Sequence, residues 1–350
     1  MGRPALRTLT PRDLNRAVLA RQLLLDRAAI SPPTALERVS GLQAQYAPAM
    51  YIGLWSRLHG FERPDLTEAL ERRTVVQGTL MRATIHLVSA ADYWPLAIAI
   101  RDERRQMWLR AVRHQPGADD LAASAGRLRA HLRSESPLRR RQLDQIVGKE
   151  QTNGVGMWLD LVRVPPSGTW ERRRADLYGA AEDWLGPPPA HLDTDTAVDH
   201  LVRRYLGGFG PATVAEIANW AGLRNPTVAA ALGRVTVRRF RAEDGDELVD
   251  LPRAPLPDAG TPAPVRLLPA WDAILLAHAR RAVVLPEPHR PKVFNTKTPQ
   301  SAHTFLVDGQ VAGTWRFAGS RVDVEPFEPL AARVRTQVHE EADRMAAFLA

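Results

Sequence analysis

Residues 195–251, DTAVDHLVRRYLGGFGPATVAEIANWAGLRNPTVAAALGRVTVRRFRAEDGDELVDL, contain the clearest structural pattern in the chain. Apolar side chains recur at helical spacing over 195–206, which predicts an amphipathic helix. Gly207, Gly208, Gly210 and Pro211 follow, and such a cluster of glycines and proline predicts that the helix stops there, after Leu206.

The remainder of this stretch predicts two more helices and a hairpin. Gly222 is suited to end a short helix in the left-handed conformation, and Asn225 is suited to begin the next one. Two strands over 235–240 and 247–251 then flank a turn that contains a glycine. Helix, turn, helix and hairpin in this order are typical of a winged helix.

Two earlier segments repeat this plan with different letters, so the chain is predicted to be an α+β protein with three tandem winged helices. Short apolar stretches after residue 265, including 282–285, predict a small antiparallel and barrel-like β unit, and 328–349 predicts a closing helix. The predicted domains are residues 1–89, 90–189 and 190–255 for the three winged helices, and 262–350 for the β unit with its helix.

The composition excludes several classes of protein. The 350 residues are 45% hydrophobic and 25% charged, as in ordinary globular proteins. No apolar run approaches the roughly 18 residues of a membrane span, and the first residues have no apolar core of the kind a signal peptide needs. The chain has no cysteine, which excludes disulfides, zinc fingers, iron–sulfur clusters and thiol catalysis and agrees with a cytoplasmic location.

The charge points to a polyanionic partner. Lys and Arg number 47 against 39 Asp and Glu, for a net charge of +8. Lys149, Lys292 and Lys297 are the only lysines, so almost all of the basic residues are arginines, whose planar fork suits phosphates and base edges. A nucleic acid is the expected partner, and a solvated surface that is merely basic is the alternative.

No motif for a cofactor is present. The sequence contains neither a phosphate-binding P-loop nor a dinucleotide-binding glycine fingerprint. Its ten histidines show no metal-binding spacing. We therefore expect neither a metal nor a cofactor.

The segment 41–48, GLQAQYAP, places two amides close together. Gln43 and Gln45 diverge on a regular helix and share a face only where the chain is extended. A helix that begins near Ser31 is expected to run through Leu42 and to end near Gln45, because Pro48 disfavours helix at the preceding residue. Both amides can then enter one cleft, or they are two surface glutamines at a helix end.

Several motifs together resemble the AlkZ-type family of winged-helix DNA glycosylases, which includes crosslink repair enzymes. The matching stretches are 41–46 (GLQAQY), 51–55 (YIGLW), 82–93 (RATIHLVSAADY), 268–272 (LPAWD), 304–309 (TFLVDG) and 313–316 (GTWR). They extend over nearly the whole chain. The resemblance implies three winged helices arranged in a C-shape with a C-terminal β domain.

The resemblance also implies a catalytic role for Gln43 and Gln45, which match the family's Gln–apolar–Gln motif. It implies a monofunctional glycosylase that removes alkylated purines, including bulky adducts and interstrand crosslinks. Alkylation makes the base a good leaving group, so the enzyme needs to place a water and to stabilise charge on the sugar. We expect Gln45 to hold that water and Gln43 to orient it or the sugar.

Basic residues outside this motif are candidates for DNA contacts. Arg82, Thr84 and His86 are expected to alternate on one strand and to point the same way, towards phosphate or the cleft floor, or simply towards solvent. Further candidates, which are equally consistent with mobile loops or solvated faces, are Lys292, Lys297 and His303 in one loop, Arg316 at the end of a strand, and Arg172 and Arg173 in a wing.

Two other functions fit parts of the pattern. A multi-winged-helix regulator would bind DNA without catalysis, and an interaction scaffold would show no salt-sensitive DNA affinity. The glutamine pair and the fused β unit favour the enzyme. The expected partner is double-stranded DNA with alkylated bases, and the protein is expected to be a monomer without a membrane partner.

Overall fold

A computed structural model describes residues 6–112, 116–277, 281–294 and 301–350, and within these ranges the chain folds as an α+β protein. The described strands form a six-stranded, a four-stranded and a three-stranded sheet. The predicted α+β class is confirmed.

The first segment begins with a capped helix. Thr10 accepts a hydrogen bond from the Asp13 amide, and the Asp13 carboxylate accepts one from the Thr10 amide. Such a reciprocal cap stabilises the first turn of a helix, as the Thr10–Pro11 pair predicts. The elements of this segment are β1 (Thr8–Leu9), α1 (Pro11–Arg21), α2 (Pro32–Val39), β2 (Leu42–Gln43), α3 (Ala47–Trp55), α4 (Arg63–Glu71), β3 (Val75–Thr79) and β4 (Ile85–Ser89).

The second segment repeats the order of helix, short strand, two helices and hairpin. Its elements are α5 (Ala90–Ala111), α6 (Ala118–Ser134), β5 (Leu138–Arg139), α7 (Arg140–Val147), α8 (Thr152–Trp158), β6 (Leu161–Arg163), β7 (Leu177–Ala180) and α9 (Ala181–Leu185). The sequence predicts helices over 137–147 and 153–164, and both predicted helices are too long. The residues at their ends form β5 and β6 instead, because both strands pair with β7.

The third segment has the same order, with a single bridge between Ala212 and Val249 where the short strand stands in the other two. Strand β1 of the first segment joins this third segment, where it pairs in parallel with the first strand of the hairpin. The elements are α10 (Thr194–Phe209), α11 (Val214–Ala221), α12 (Asn225–Arg234), β8 (Arg238–Ala242) and β9 (Glu247–Asp250).

The predicted end of this helix at Leu206 is too early, because α10 continues through Gly207 and Gly208 to Phe209. The other two residues of the predicted stop, Gly210 and Pro211, do end it, since Gly210 is the C-cap. Gly208 lies against the end of α2: a Cβ added there would meet the Ser40 hydroxyl at 2.7 Å and the Val39 carbonyl oxygen at 3.0 Å. This glycine therefore allows two helices to approach closely. At Gly207, by contrast, an added Cβ meets nothing nearer than 3.9 Å.

Alanine at position 208 is expected to destabilise the fold by about 1–3 kcal/mol, because the added methyl group separates α10 from α2. Alanine at the neighbouring position 207 is the matched control, and its higher helix propensity makes it neutral or stabilising. Urea unfolding of both variants measures the difference. Equal stability of the two variants would contradict the close approach.

The six-stranded sheet joins the first two segments edge to edge. Its order is β2-β4-β3-β6-β7-β5, and every pairing is antiparallel. The two hairpins meet where Gln77 pairs with Arg163 and Gly78 with Val162. This pairing brings the hairpin that follows the glutamine motif next to the second segment.

The C-terminal unit is an open four-stranded meander covered by a helix. Its elements are β10 (Arg266–Leu268), α13 (Ala273–Leu276), α14 (Arg290–Val293), β11 (His303–Val307), β12 (Gln310–Ala318), β13 (Arg321–Pro326) and α15 (Ala332–Leu349). The expected barrel is wrong, because β10 and β13 lie at opposite edges of the sheet. The stretch 282–285 is not a strand either, since 281–283 form a 3-10 turn.

One continuous apolar core connects all four parts. It includes Val76 from the first segment, Ala97 from the second, Leu201 from the third and Leu268 from the C-terminal unit. Residues far apart in sequence are therefore held in fixed relation to the glutamine motif.

Candidate functional site

The backbone becomes extended at Gln43 because α2 ends early. Ser40 and Gly41 adopt positive φ angles of 64° and 78°, and the Gly41 amide donates to the Leu36 carbonyl. A side chain at position 41 would meet Val88 at 2.9 Å, so this position requires glycine. The helix expected to continue through Leu42 therefore stops at Val39.

A short strand then carries the motif. Leu42 and Gln43 pair with Leu87 and His86 of β4, and the Ala44 amide donates to the Ile85 carbonyl at 2.8 Å. The interpretation of the motif as a helix end is wrong. Its alternative, an extended chain, places both amides on one face.

Pro48 begins a helix here instead of ending one. Ala47 is the first residue of α3 and Pro48 lies in its first turn, where a missing N–H leaves no intrahelical bond unmade. The expectation that Pro48 keeps Ala47 out of a helix is therefore wrong. The motif lies in the gap between α2 and α3, on the sheet edge that the two helices flank.

The two amide groups contact one another. Gln43 Nε2 donates a hydrogen bond to Gln45 Oε1 at 2.8 Å. Within the described residues no other hydrogen bond engages either amide. The Gln43 carbonyl, the second lone pair of the Gln45 carbonyl and the Gln45 amide nitrogen remain available to a ligand. Gln45 is exposed and Gln43 half-buried.

Arg82, Thr84 and His86 do not share a strand face, and the prediction that they do is wrong. Arg82 has a φ of 52° in the 3-10 turn 81–83, and its guanidinium donates to the Leu276 carbonyl at 3.3 Å. Thr84 precedes β4, and its hydroxyl donates to the Met81 carbonyl. Tight packing of this turn against other segments replaces the expected strand.

His86 is buried under the glutamine motif. It is the cross-strand partner of Gln43, only 4% exposed, and its Nδ1 donates to the Thr84 carbonyl at 3.1 Å. Burial lowers the pKa of the His86 imidazole to about 4. A neutral buried ring cannot attract phosphate, so His86 supports β2 and does not serve as a cationic DNA contact.

The buried His86 makes stability depend on pH. The folded pKa near 4 lies below the ordinary 6.5, so the unfolded chain binds a proton first as the pH falls. From about pH 7 to about pH 5 this group is expected to remove about 2 kcal/mol from the free energy of unfolding. Urea unfolding at both pH values should show a smaller decrease for His86→Asn.

The control is His339→Asn, at an exposed position of α15, which should keep the pH dependence of the wild type. If His86→Asn also keeps the pH dependence of the wild type, the His86 ring takes up its proton as readily in the folded protein as in the unfolded chain, and the prediction fails.

A long wing brings two predicted arginines close to the motif. Residues 164–176 connect β6 to β7, and Trp170 anchors them by packing edge-on against Tyr51 with ring centroids 5.6 Å apart. Arg173 Nη1 lies 3.5 Å from the hydroxyl of Tyr46, which follows Gln45. Arg172 is more weakly paired, 3.7 Å from Asp176. The structure therefore places Arg173 beside the glutamine motif.

The remaining predicted contacts do not form one loop. Lys292 belongs to α14 and lies over the Phe327 ring at 4.8 Å. His303 belongs to β11, where its Nδ1 accepts from the Ala270 amide at 2.9 Å. Burial lowers the pKa of the His303 ring to about 4, so this ring is neutral. Lys297 lies outside the described residues.

Arg316 lies within β12, not at the end of a strand. Its side chain is 80% exposed and pairs across the sheet with Asp323 at 3.3 Å. The structure describes no contact between it and the glutamine motif.

A cavity of about 260 Å³ opens beside the motif, and sequence reasoning did not find it. Gln45 lies on one side, and the other lining residues come from the β3–β4 hairpin and from the second segment. They include Thr79, Trp108, Arg163 and Tyr178. No local signal marks these four, because only the pairing of β3 with β6 brings them together.

Comparison with known proteins places the chain in a family. A family model described as DNA glycosylase AlkZ-like matches residues 36–348. The chain belongs to this family. It is therefore a DNA glycosylase, an enzyme that hydrolyses N-glycosyl bonds, and the interpretation as a non-catalytic regulator loses its support.

A curated sequence and a solved structure, both from Streptomyces sahachiroi, are similar to this glycosylase. The sequence, an interstrand DNA cross-link repair glycosylase, is 24% identical over an alignment of 343 residues, and the match covers 88% of each chain. The structure of the DNA glycosylase AlkZ matches with a TM-score of 0.78 over 97% of both chains at 20% identity. At this identity, the structural match shows that the two chains share a fold.

Membrane spans and metal clusters have no candidates among the described residues. In the part of the chain that the structure describes, no helix has both the length and the apolar character to cross a membrane. Within the same residues, no three histidine, aspartate or glutamate side chains cluster as metal ligands would.

Proposed function

We propose that this glycosylase hydrolyses the N-glycosidic bond of alkylated purines in double-stranded DNA with a water positioned by Gln43 and Gln45. The contact between the two amides is the observation that supports this proposal most strongly. It orders both side chains and leaves acceptor and donor atoms without a hydrogen-bond partner among the described residues.

This reaction requires the protein mainly to position the attacking water and to stabilise charge on the sugar. Alkylation at N7 or N3 makes the base cationic, so the bond between C1′ and the base nitrogen breaks with its electron pair retained by the base. Water adds to C1′ and its proton passes to solvent. A glutamine is a poor base, so it contributes orientation and electrostatic stabilisation, and no cofactor is needed.

The carbonyl oxygens with a free lone pair indicate which of the two amides can hold the water. With the amides oriented as described, Gln43 has a free carbonyl, whereas the Gln45 carbonyl already accepts one hydrogen bond. A water can therefore donate to either carbonyl, and we propose that both hold it.

Contacts with the DNA backbone come from exposed or half-buried cations in this proposal. Arg173 and Arg172 lie on the wing beside the motif, and Lys292 and Arg316 lie on the C-terminal unit. Cationic side chains of this kind bind phosphates and position the duplex without reading its sequence.

The architecture is proposed to be three winged helices in a C-shape, with boundaries at 1–89, 90–189 and 190–255, followed by the β domain at 262–350. Support comes from the recurrent order of helix, short strand, two helices and hairpin. In the first two segments the short strand pairs with the last strand of the hairpin, and the bridge between Ala212 and Val249 takes its place in the third.

Interstrand crosslinks are a proposed substrate because a relative of similar length carries that activity in its name. The Gln–Ala–Gln motif matches the family variant that the resemblance associates with crosslinks. A cytoplasmic location and a monomeric state remain predictions.

The test is a base-release assay with three duplexes, which carry N7-methylguanine, N3-methyladenine or a nitrogen-mustard crosslink. Hot alkali then converts abasic sites into strand breaks. We expect breaks at the lesion in at least one duplex and none in the undamaged control. Tight binding to all duplexes without any break would contradict the proposed chemistry.

A further inference from the structure

The cavity beside Gln45 lies between the two hairpins that form the middle of the six-stranded sheet. Thr79 ends β3, Arg163 ends β6 and Tyr178 lies on β7, while Gly156 and Trp108 contribute from helices of the second segment. Its volume of about 260 Å³ is slightly smaller than that of sites for drug-sized ligands, roughly 300–1,000 Å³. A single bicyclic base is a suitable occupant by size.

Two hydrogen-bond donors in this lining have no partner. Trp108 Nε1 and Arg163 Nε are both buried, and neither makes a hydrogen bond within the described residues. The Nε1 edge of Trp108 packs against Gly154, where an added Cβ would lie 2.9 Å away, so Arg163 Nε is the donor that the cavity can use. Arg163 is only 8% exposed. A buried donor without a partner is energetically unfavourable, and such groups point to an absent ligand or water.

The other contacts of Arg163 hold it in place. Its Nη1 donates to the Thr79 hydroxyl at 2.9 Å, and its guanidinium lies 4.9 Å from the centre of the Tyr178 ring. Two aromatic rings and a fixed cation therefore line one small space. Aromatic side chains of this kind are used to stack on an unstacked base.

The charge of the lining favours a departing purine. None of the described lining residues is a carboxylate, and Arg163 makes no salt bridge within the described residues, whereas the second guanidinium, that of Arg140, is paired with Asp144 at 3.0 Å. An N7-alkylated guanine is cationic before cleavage and neutral after it, because the electron pair of the broken bond stays on N9. A positive environment therefore repels the bound lesion more than the departing base, and such differential binding favours cleavage.

We propose that this cavity receives a purine that carries a small, untethered alkyl group, with Arg163 Nε donating to one of its ring-nitrogen or carbonyl acceptors. This inference rests on the proposed function. It adds a binding site for the base to the glutamines that act on the sugar.

Filling the cavity tests the assignment. A Cβ added to Gly156 meets no atom within 4 Å, so leucine at this position projects into open space without a clash. The matched control is Gly126→Leu, a second helical glycine with nothing within 4 Å, which does not line the cavity. Gly156→Ala provides a smaller side chain at the first position.

Three measurements separate the possible roles. They are the single-turnover release of N7-methylguanine, the affinity for the lesion-containing duplex, and the binding of free 7-methylguanine as detected by saturation-transfer NMR. We expect Gly156→Leu to slow release by about tenfold or more and to abolish binding of the free base. Gly156→Ala should have a smaller effect, and Gly126→Leu and the duplex affinity should not change.

Two results would overturn the assignment. One is equal behaviour of Gly156→Leu and Gly126→Leu, and the other is a loss of duplex affinity that accounts for the slower release. If the wild type releases no base yet binds free 7-methylguanine in the cavity, the proposed reaction fails and the base site stands.

Discussion

Alanine in place of Gln45 is expected to lower the rate of base release by about 10²–10³-fold, the range seen when one preorganised polar group is removed from a catalytic site. The loss arises because the water that attacks C1′ no longer has an acceptor to orient it. Gln43→Ala should have an effect of similar size, because Gln43 Nε2 also fixes the Gln45 carbonyl. The measurement is single-turnover release of the alkylated base.

The double variant is informative because the two amides act as a unit. We expect it to be little slower than either single variant, since groups that share one function are strongly non-additive. Gln337→Ala, at an exposed position of α15, is the matched control. Unchanged rates in both single variants, with normal duplex affinity, would remove the glutamines from the mechanism.

The second large effect concerns stability. Arg57 and Asp272 form a bidentate ion pair with both distances at 2.8 Å, and both side chains are 0% exposed. Asp272→Ala leaves a buried guanidinium without its charge partner. We expect a loss of about 3–5 kcal/mol in the free energy of unfolding, measured by urea denaturation.

Two further variants show whether burial is the cause. Glu68→Ala breaks an exposed ion pair with Arg72 and should change stability by less than about 1 kcal/mol. The double change Arg57→Met with Asp272→Leu removes both charges and should recover part of the loss. A destabilisation by Asp272→Ala no larger than that of Glu68→Ala would contradict the importance of this pair.

The Arg57–Asp272 pair also shows what one residue of the motif at 268–272 does in the fold. Residues 268–272 carry part of the family resemblance, and Asp272 connects the C-terminal unit to the residues that follow α3. Its carboxylate also accepts from the Ile274 amide and so caps α13. The similarity at these positions therefore reflects assembly of the fold as much as chemistry.

The glutamine pair was singled out by the family resemblance, because its local spacing left two conformations open. Alternation puts Gln43 and Gln45 on one face only in an extended chain, and the sequence pattern predicts a helix end there. The end of α2 could not be placed as well, since Gly41 is required only by its contact with Val88 on another strand. Periodicity alone extended the helix too far.

The conformation at Arg82 and the role of Gly208 could not be predicted for the same reason. The turn that holds Arg82 packs against the third segment, where a Cβ added to Gly222 would lie 3.6 Å from the Arg82 nitrogen, and against the Leu276 carbonyl. Gly208 reads as a helix end, yet it allows α10 to approach α2. In both cases the conformation is set by a neighbour that lies far away in sequence.

The sequence by itself determined the α+β class and the recurrent order of helices and hairpins, which depend on periodicity, capping and spacing over a few residues. The two glutamines were singled out by resemblance to a known family, and their catalytic role stays a prediction. Only the tertiary structure decided that His86 is a neutral buried support, that Arg173 lies beside the motif and that Trp108 and Arg163 line a cavity. Burial and pairing between distant segments set these properties, and neither is written in local spacing.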